Sequence, residues 1–315
     1  MKNLKKMLLV MSALLIIVAS CKKEKIDEIP ELGTTEIKYV SDVSATIVGK
    51  ITDKGEKHIS ERGACWHTSP GATIDNNKVK AVDYQDNFTC IIKDLSPQTK
   101  YYVRAYATNS DGTAYGTEVI VTTTSSLDDI DGNSYKTVVI GTQTWMAANL
   151  MTTKYNDGTS IPNVTDNNAW TNLTTPAYSW WENNVSQSDR GAYYNYYAVH
   201  TGNLCPTGWR VSTENDWDVL LAFLGDEPGD KLKATPTATY NKANETGFTA
   251  YMRGYRAGGS GTFARAGEWG WFWIDDGRPL SPAIAARKEL KSDSRGVNTG
   301  HSSMETGANV RCVKE

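Results

Sequence analysis

The chain has few histidines, no cysteines paired at short spacing and no clustered positive charge, and each shortage removes a class of function. Its histidines, His58, His67, His200 and His301, are only four in 315 residues and are scattered. Neither a His-Glu-x-x-His nor a Cys-x-x-Cys occurs, so no metal site of the usual zinc spacings is spelled out. Lys and Arg number 33 against 36 Asp and Glu, for a net charge of −3 with no basic block. A row of phosphates would meet no matching row of cations, which argues against a nucleic-acid partner. No Gly-x-Ser-x-Gly elbow is present. The glycine-rich GYRAGGSG, Gly254 to Gly261, has no strand–loop–helix setting and no Lys-Ser pair after it. It reads as a surface loop rather than a phosphate cradle. None of these patterns implies a cofactor.

What is there points to a globular, exported protein. Hydrophobic residues make up 39% and aromatic residues 10%, the composition of folded domains, and the length suits two of them. Lys2, Lys5 and Lys6 precede an apolar run of 13 residues, Met7 to Ala19, short of the roughly 20 that cross a bilayer as a helix. The run ends in Val18-Ala19-Ser20-Cys21, which resembles the lipobox of bacterial lipoproteins. The resemblance implies that residues 1–20 are a signal peptide, that the Cys21 thiol is lipidated and that the lipid holds the chain on a membrane. An ordinary secretory signal is the alternative. Lys22, in place of Asp, is similar to lipoproteins sent to the outer membrane of Gram-negative bacteria, and surface exposure is the expectation. Residues 21–33 read as a charged tether. The remaining cysteines, Cys65, Cys90, Cys205 and Cys312, are four, an even number that suits two disulfides in an exported chain.

Residues 34–124 alternate with period two between turn signals, the pattern of a β-sandwich. In LSPQTKYYVRAYATNSDGTAYG, one face from Tyr101 to Ala107 is apolar, Asn109 to Gly112 forms a turn, and TAYGTEVIVTT returns as the last strand. This run resembles a fibronectin type III domain. The likeness makes Leu95 a core position and Tyr101 the tyrosine corner, tied down through its phenol. Cys65 and Cys90 fall in different strands, where they form either a bridge or two buried free thiols. A sandwich of this kind serves as a spacer, and Ser125 to Asp129 reads as the linker after it.

Residues 128–315 carry GTQTWM (Gly141 to Met146), GAYYNYYAV, CPTGWR (Cys205 to Arg210), WGWFWI and VRCVKE in that order. The succession resembles the Fibrobacter succinogenes major paralogous domain, which implies a C-type-lectin-like α+β fold. The overall expectation is a mainly β, α+β protein. In RVSTENDWDVLLAFLG, Thr213 is an N-cap with Asp216 at the third helical position. Trp217, Leu220, Leu221 and Leu224 form one apolar stripe, and Gly225 ends the helix. The lectin-like likeness further implies a disulfide between Cys205 and Cys312, because the two chain ends of that fold meet.

Chemistry is thinly represented. The formylglycine-generating enzymes share the lectin-like fold, but their chemistry needs reactive thiols, and Cys205 and Cys312 are committed to each other in this reading. Calcium-dependent lectins use Glu-Pro-Asn or Gln-Pro-Asp with Trp-Asn-Asp, whereas this chain has Glu227-Pro228-Gly229 and no Trp-Asn-Asp. Oxygen donors cluster at Asp166-Asn167-Asn168 and Glu182-Asn183-Asn184, which read as turns. Nine of the 10 tryptophans follow residue 128. Trp145, Trp209 and Trp217 sit in patterned motifs and are expected in the core, as are Trp269, Trp271 and Trp273 on one strand face. Trp170, Trp180 and Trp181 stand in polar, turn-rich surroundings and are the candidate ligand-binding residues, as flat rings suited to sugars if exposed; packing of the long loop onto its own domain is the alternative. The expectation is a lipid-anchored, non-catalytic surface protein binding a glycan or a surface protein. A structural surface or appendage component is the alternative, and an enzyme of the formylglycine-generating type stands third.

Overall fold

A computed structural model describes residues 29–235, 244–277, 279, 281 and 283–315. The signal segment and Cys21 lie outside the described residues.

The first unit is a sandwich of nine strands. They are β1 (Glu31–Leu32), β2 (Glu36–Ser41), β3 (Ala45–Asp53), β4 (Glu61–His67), β5 (Asn77–Lys80), β6 (Asn87–Ile92), β7 (Lys100–Asn109), β8 (Gly112–Tyr115) and β9 (Val119–Thr122). One sheet sets β3 against β1, β2 and β6; the other orders β5-β4-β7, with β8 and β9 both on β7. The alternation read in β7 holds: Tyr101, Val103, Ala105 and Ala107 all enter the core between the sheets, with Ile47, Phe88, Ile92 and Val121. Each of the larger of these, Ile47, Phe88, Ile92, Val103 and Val121, contributes roughly 1.5–3 kcal/mol on removal from water. Leu95 is buried in the same core. The Tyr101 phenol accepts the Ser96 N–H at 2.9 Å, the bond expected of a tyrosine corner. TAYGTEVIVTT forms two strands rather than one. Between them Gly116 N–H donates to Ala105 O at 2.9 Å, and the Glu118 carboxylate turns away to accept from Gly71 and Ala72.

The second unit begins with two hairpins, β10 (Leu127–Asp128) with β11 (Ser134–Tyr135), and β12 (Thr137–Ile140) with β13 (Gln143–Met146). Then come α1 (Asn167–Thr171), β14 (Tyr178–Ser179), β15 (Tyr193–Tyr194), α2 (Tyr196–Val199), β16 (Trp209–Val211), α3 (Glu214–Leu224) and α4 (Pro228–Leu232). The chain closes through β17 (Tyr255–Arg256), β18 (Phe263–Ala264), β19 (Trp269–Trp273), β20 (Ile284–Lys291), β21 (Val297–Ser303) and β22 (Cys312–Lys314). The last strand pairs with both β13 and β16, so the first and last parts of this unit lie side by side. In α3 the capping box is complete. Thr213 Oγ1 accepts the Asp216 N–H at 3.2 Å, and the Asp216 carboxylate accepts the Thr213 N–H at 2.7 Å. Trp217, Leu220 and Leu224 face the core, where Trp145, Phe248 and Phe272 meet the Trp217 ring edge-on or tilted at 5.4–5.9 Å. Gly225 ends the helix at φ 65°, a backbone region where glycine has no Cβ penalty. The whole is mainly β with short helices, an α+β protein.

One feature joins the units more closely than a linker would. Strand β2 of the sandwich pairs with β12, Val139 opposite Val40 and Ile140 opposite Tyr39. A single sheet therefore runs β1-β3-β2-β12-β13-β22-β16 through both units. Tyr39 packs in the second unit's core against Phe223, Lys38 pairs with Glu245 at 2.8 Å, and Thr137 Oγ1 donates to Ser125 O at 3.0 Å. The segment expected to be a linker is pinned at both ends.

Candidate binding face of the second unit

The cysteines among the described residues divide into two classes. Cys205 and Cys312 form a disulfide with Cα atoms 6.0 Å apart, and it ties the loop before β16 to the closing strand. Cys65 and Cys90 are buried free thiols, so the bridge between them is corrected, and the reason is strand parity. Cys90 faces inward with Ile47 and Phe88, whereas on β4 it is Ala64 that enters that core. Cys65, one residue on, points to the other side of its sheet. There it packs with Tyr106 and Ala72. Burial raises the Cys65 thiol to about 11 and the Cys90 thiol to about 12, which leaves both protonated and unreactive near neutral pH.

The three candidate indoles are corrected as ligand-binding residues, because the structure takes the packing alternative. Trp170 is 0% exposed, Trp180 7% and Trp181 8%. The polar turns around them fold the rings inward. Asp166 caps α1 by accepting the Ala169 N–H at 2.7 Å, and Asn184 accepts the Ser186 N–H at 2.9 Å. Asn183 Nδ2 donates to Thr165 O at 2.8 Å. These amides and carboxylates are turn makers. Trp181 packs against Tyr193 and Phe263, while Trp180 turns the other way onto Tyr178. Trp170 lies under the Arg256 guanidinium at 4.1 Å.

Arg256 is the organiser that sequence reading missed. It sits in the glycine-rich stretch from Gly254 to Gly261, expected as a surface loop, yet is 0% exposed. Its nitrogens donate to Gly261 O at 2.7 Å, to Val164 and Thr165 carbonyls and to Asn167 Oδ1. A second buried arginine, Arg311, donates to Asn149 Oδ1 at 2.8 Å and to the carbonyls of Met146, Phe248 and Thr249. Burial lowers Arg256 to about 10 and Arg311 to about 9, so both stay charged at neutral pH. A guanidinium with its five donors gathers carbonyls that loops would otherwise bury unpaired. A lone Arg in a polar run carries no periodic signal of this.

One face of the β19-β20-β21 sheet is aromatic and packs against the core, with Trp269 and the neighbouring Tyr255 only partly covered. Trp269, Trp271 and Trp273 alternate onto that face. Across β20 they meet Lys291, Glu289 and Arg287, directly opposite in that order. Trp273 and Trp271 are buried; Trp269 is half-buried, as is Tyr255 of the β17–β18 hairpin. Tyr255 stacks on Trp271 at 3.7 Å with 10° between the planes, and Arg287 stands over the same indole at 3.5 Å. Lys291 and Arg265 lie 4.8 and 5.3 Å from the Trp269 ring. Charges here are mostly paired: Lys291 with Glu289 at 3.0 Å and Arg265 with Glu268 at 2.8 Å. The alternation in WGWFW was legible, but its pairing with ARKELK was not. Flat rings fringed by charged hydrogen-bonding groups can hold a sugar or a peptide side chain. Among the described residues, no group of three or more His, Cys, Asp or Glu is placed to hold a metal ion.

The profile of the Fibrobacter succinogenes major domain matches residues 138–314, more than half of the chain. The chain belongs to this family. The matched span of the major domain runs from β12 to β22, and so includes the disulfide, both arginine clusters and the aromatic face. No curated protein matches the chain significantly. Similar solved structures cover only about a third of it. A crystal structure of titin domains is 14% identical, with 31% of this chain and 32% of that one covered and a TM-score of 0.24. The sensor domain of an anti-sigma factor of Pseudobacteroides cellulosolvens is 16% identical, with 30% and 95% covered and a TM-score of 0.23. The sixth fibronectin type III domain of a human protein is 22% identical, with 32% and 92% covered and a TM-score of 0.25. The chain thus spans about a third of the titin piece and nearly all of the other two.

Proposed function

We propose that this protein is an exported, lipid-anchored binding protein of the bacterial surface, with Cys21 as the anchor and the major domain as a non-catalytic, lectin-like binding unit for carbohydrate. The observation that carries the binding reading is the half-buried pair Tyr255 and Trp269, standing beside Trp271 with paired charges around them. Two features support the lectin-like reading: the side-by-side first and last strands, and the disulfide between Cys205 and Cys312. The buried, protonated thiols and the bridged pair leave no reactive thiol among the described residues, which supports a non-catalytic role over the formylglycine-generating alternative.

The full-length chain, solubilised in detergent, tests this on a glycan array. A hit lost on Trp269→Ala and Tyr255→Ala, with the fold retained by circular dichroism, supports carbohydrate binding. Silence across glycans removes it. The shared sheet favours a second reading, a structural surface component in which the sandwich and the major domain transmit position as one body. Mass spectrometry of the native N-terminus tests the anchor independently: an unacylated Cys21 removes it.

A further inference from the structure

The cation at the centre of the aromatic face has hydrogen-bonding capacity that nothing among the described residues uses. Arg287 is 6% exposed, and its Nε and Nη1 are buried without a hydrogen-bond partner. The indole Nε1 of Trp271, directly beneath it, is likewise buried and unpartnered. Buried donors are nearly always paired in folded proteins, because each one left unmade costs the desolvation of that group. Three unpaired donors in one place, with one of the two groups charged, call for an acceptor.

The surroundings define what kind. Tyr255 and Arg287 both lie within 4 Å of the Trp271 ring centre and so occupy its opposite faces, a three-layer stack that holds the guanidinium plane still. On the neighbouring strand Arg287 faces Gly300. A Cβ there would stand 1.7 Å from Nη1, so the absence of a side chain leaves the guanidinium tip its place at the sheet's edge strand. The ionisable side chains around these rings are Arg287, Lys291 and Glu289, with Arg265 and its partner Glu268 beside Trp269; Glu289 lies 3.4 Å from Arg287 and 3.0 Å from Lys291. Three cations against two carboxylates leave the face one positive charge in excess. Arg pairs with carboxylates and sulfates through charge-assisted hydrogen bonds. The half-buried rings of Tyr255 and Trp269 offer a stacking surface next to it.

We propose that this face is a subsite for an acidic sugar, with Arg287 and the Trp271 indole N–H receiving a carboxylate or sulfate and Tyr255 with Trp269 lying along the ring. This rests on the reading that the major domain binds carbohydrate, and narrows it to anionic saccharides.

Calorimetry on the full-length chain in detergent compares tetragalacturonate, its methyl ester and a heparin tetrasaccharide. The ester keeps the sugar and removes the charge. The expected result is binding of at least one acidic ligand, at least tenfold tighter than the ester and weakened by salt. Arg287→Gln should weaken the acidic ligand at least tenfold and leave the ester unchanged. Gly300→Ala should do the same by displacing the guanidinium tip without removing its charge, so the test survives if one variant fails to fold. Arg287→Lys should retain part of the binding. Preference for galacturonate identifies carboxylate, and preference for the heparin fragment identifies sulfate. Equal binding of acid and ester, indifferent to Arg287, overturns the subsite while sparing the carbohydrate reading. No binding of any of the three overturns the subsite, and glycan-array hits on other sugars then decide the broader reading separately.

Discussion

The sandwich and the major domain bury side chains of different kinds. In the sandwich, aliphatic residues from two sheets interleave, and the core needs little beyond period-two alternation: Ile47, Val103, Ala105 and Ile92 meet because each is an inward position of its strand. In the major domain long connections run between short strands, and a large share of the interior is tryptophan, tyrosine and arginine. Alternation cannot organise loops. Their carbonyls need donors, and the buried guanidinium groups of Arg256 and Arg311 supply them. The sandwich therefore tolerates two free thiols in its layers, whereas the major domain holds its closing strand with a disulfide.

The largest expected effect separates the two pairs of cysteines. Replacing Cys205 and Cys312 together by Ser should destabilise the major domain by roughly 4–5 kcal/mol, since the bridge closes a loop with a sequence separation of 107 residues and loop entropy sets that scale. Cys65→Ala, which removes one small apolar group, should cost only about 1 kcal/mol. Urea titration of the purified variants measures both, and comparable losses would erase the contrast.

Next comes the arginine clamp. Arg311→Met should cost about 3 kcal/mol, because carbonyls of Met146, Phe248 and Thr249 lose their charged donor while buried. Arg104→Met in the sandwich should cost less than about 1 kcal/mol: that guanidinium is half-buried over Tyr115 and donates one long bond, 3.2 Å, to Gly116 O. The same titration compares them, and equal effects would show that buried arginines matter no more to loops than to sheets.

The smallest effect is a pH dependence confined to the sandwich. Glu61 is held down from 4.5 to about 2, chiefly by its bond to the Lys80 ammonium and then by the Tyr106 hydroxyl. A depressed carboxylate stabilises the fold fully above its unfolded pKa and loses that contribution as pH falls through its folded one. Thermal melts should thus show wild-type protein losing stability between pH about 4.5 and about 2, and Glu61→Gln losing less over that window. A parallel acid limb in both proteins would remove Glu61 as the cause.

Much of the architecture was legible in local patterns. The β7 alternation, the tyrosine corner and the capped helix from Thr213 to Gly225 each follow from interactions within a few residues or from strand parity. They stand as those patterns required. The exposed alternative for the three indoles failed for an identifiable reason. Polar neighbours such as Asp166 and Asn184 were read as solvent-facing context, when their hydrogen bonds to nearby N–H groups bend the chain and turn Trp170 and Trp181 inward. The choice between a bridge and free thiols at Cys65 and Cys90 stayed open in the sequence because pairing depends on which face of a sheet each residue takes, and proximity in a sandwich does not settle that.

What this chain's residues determined alone is the set of interactions closed within a strand, a turn or one helix, because their partners are fixed by short spacing. The tertiary structure decided the rest. It joined Val40 to Val139 across two units, set Arg287 between Trp271 and Gly300, and brought Arg311 to carbonyls 62 to 165 residues away in the chain. Those contacts depend on where long loops return. No local pattern encodes that return, because the free energy that fixes it is shared among many distant groups at once.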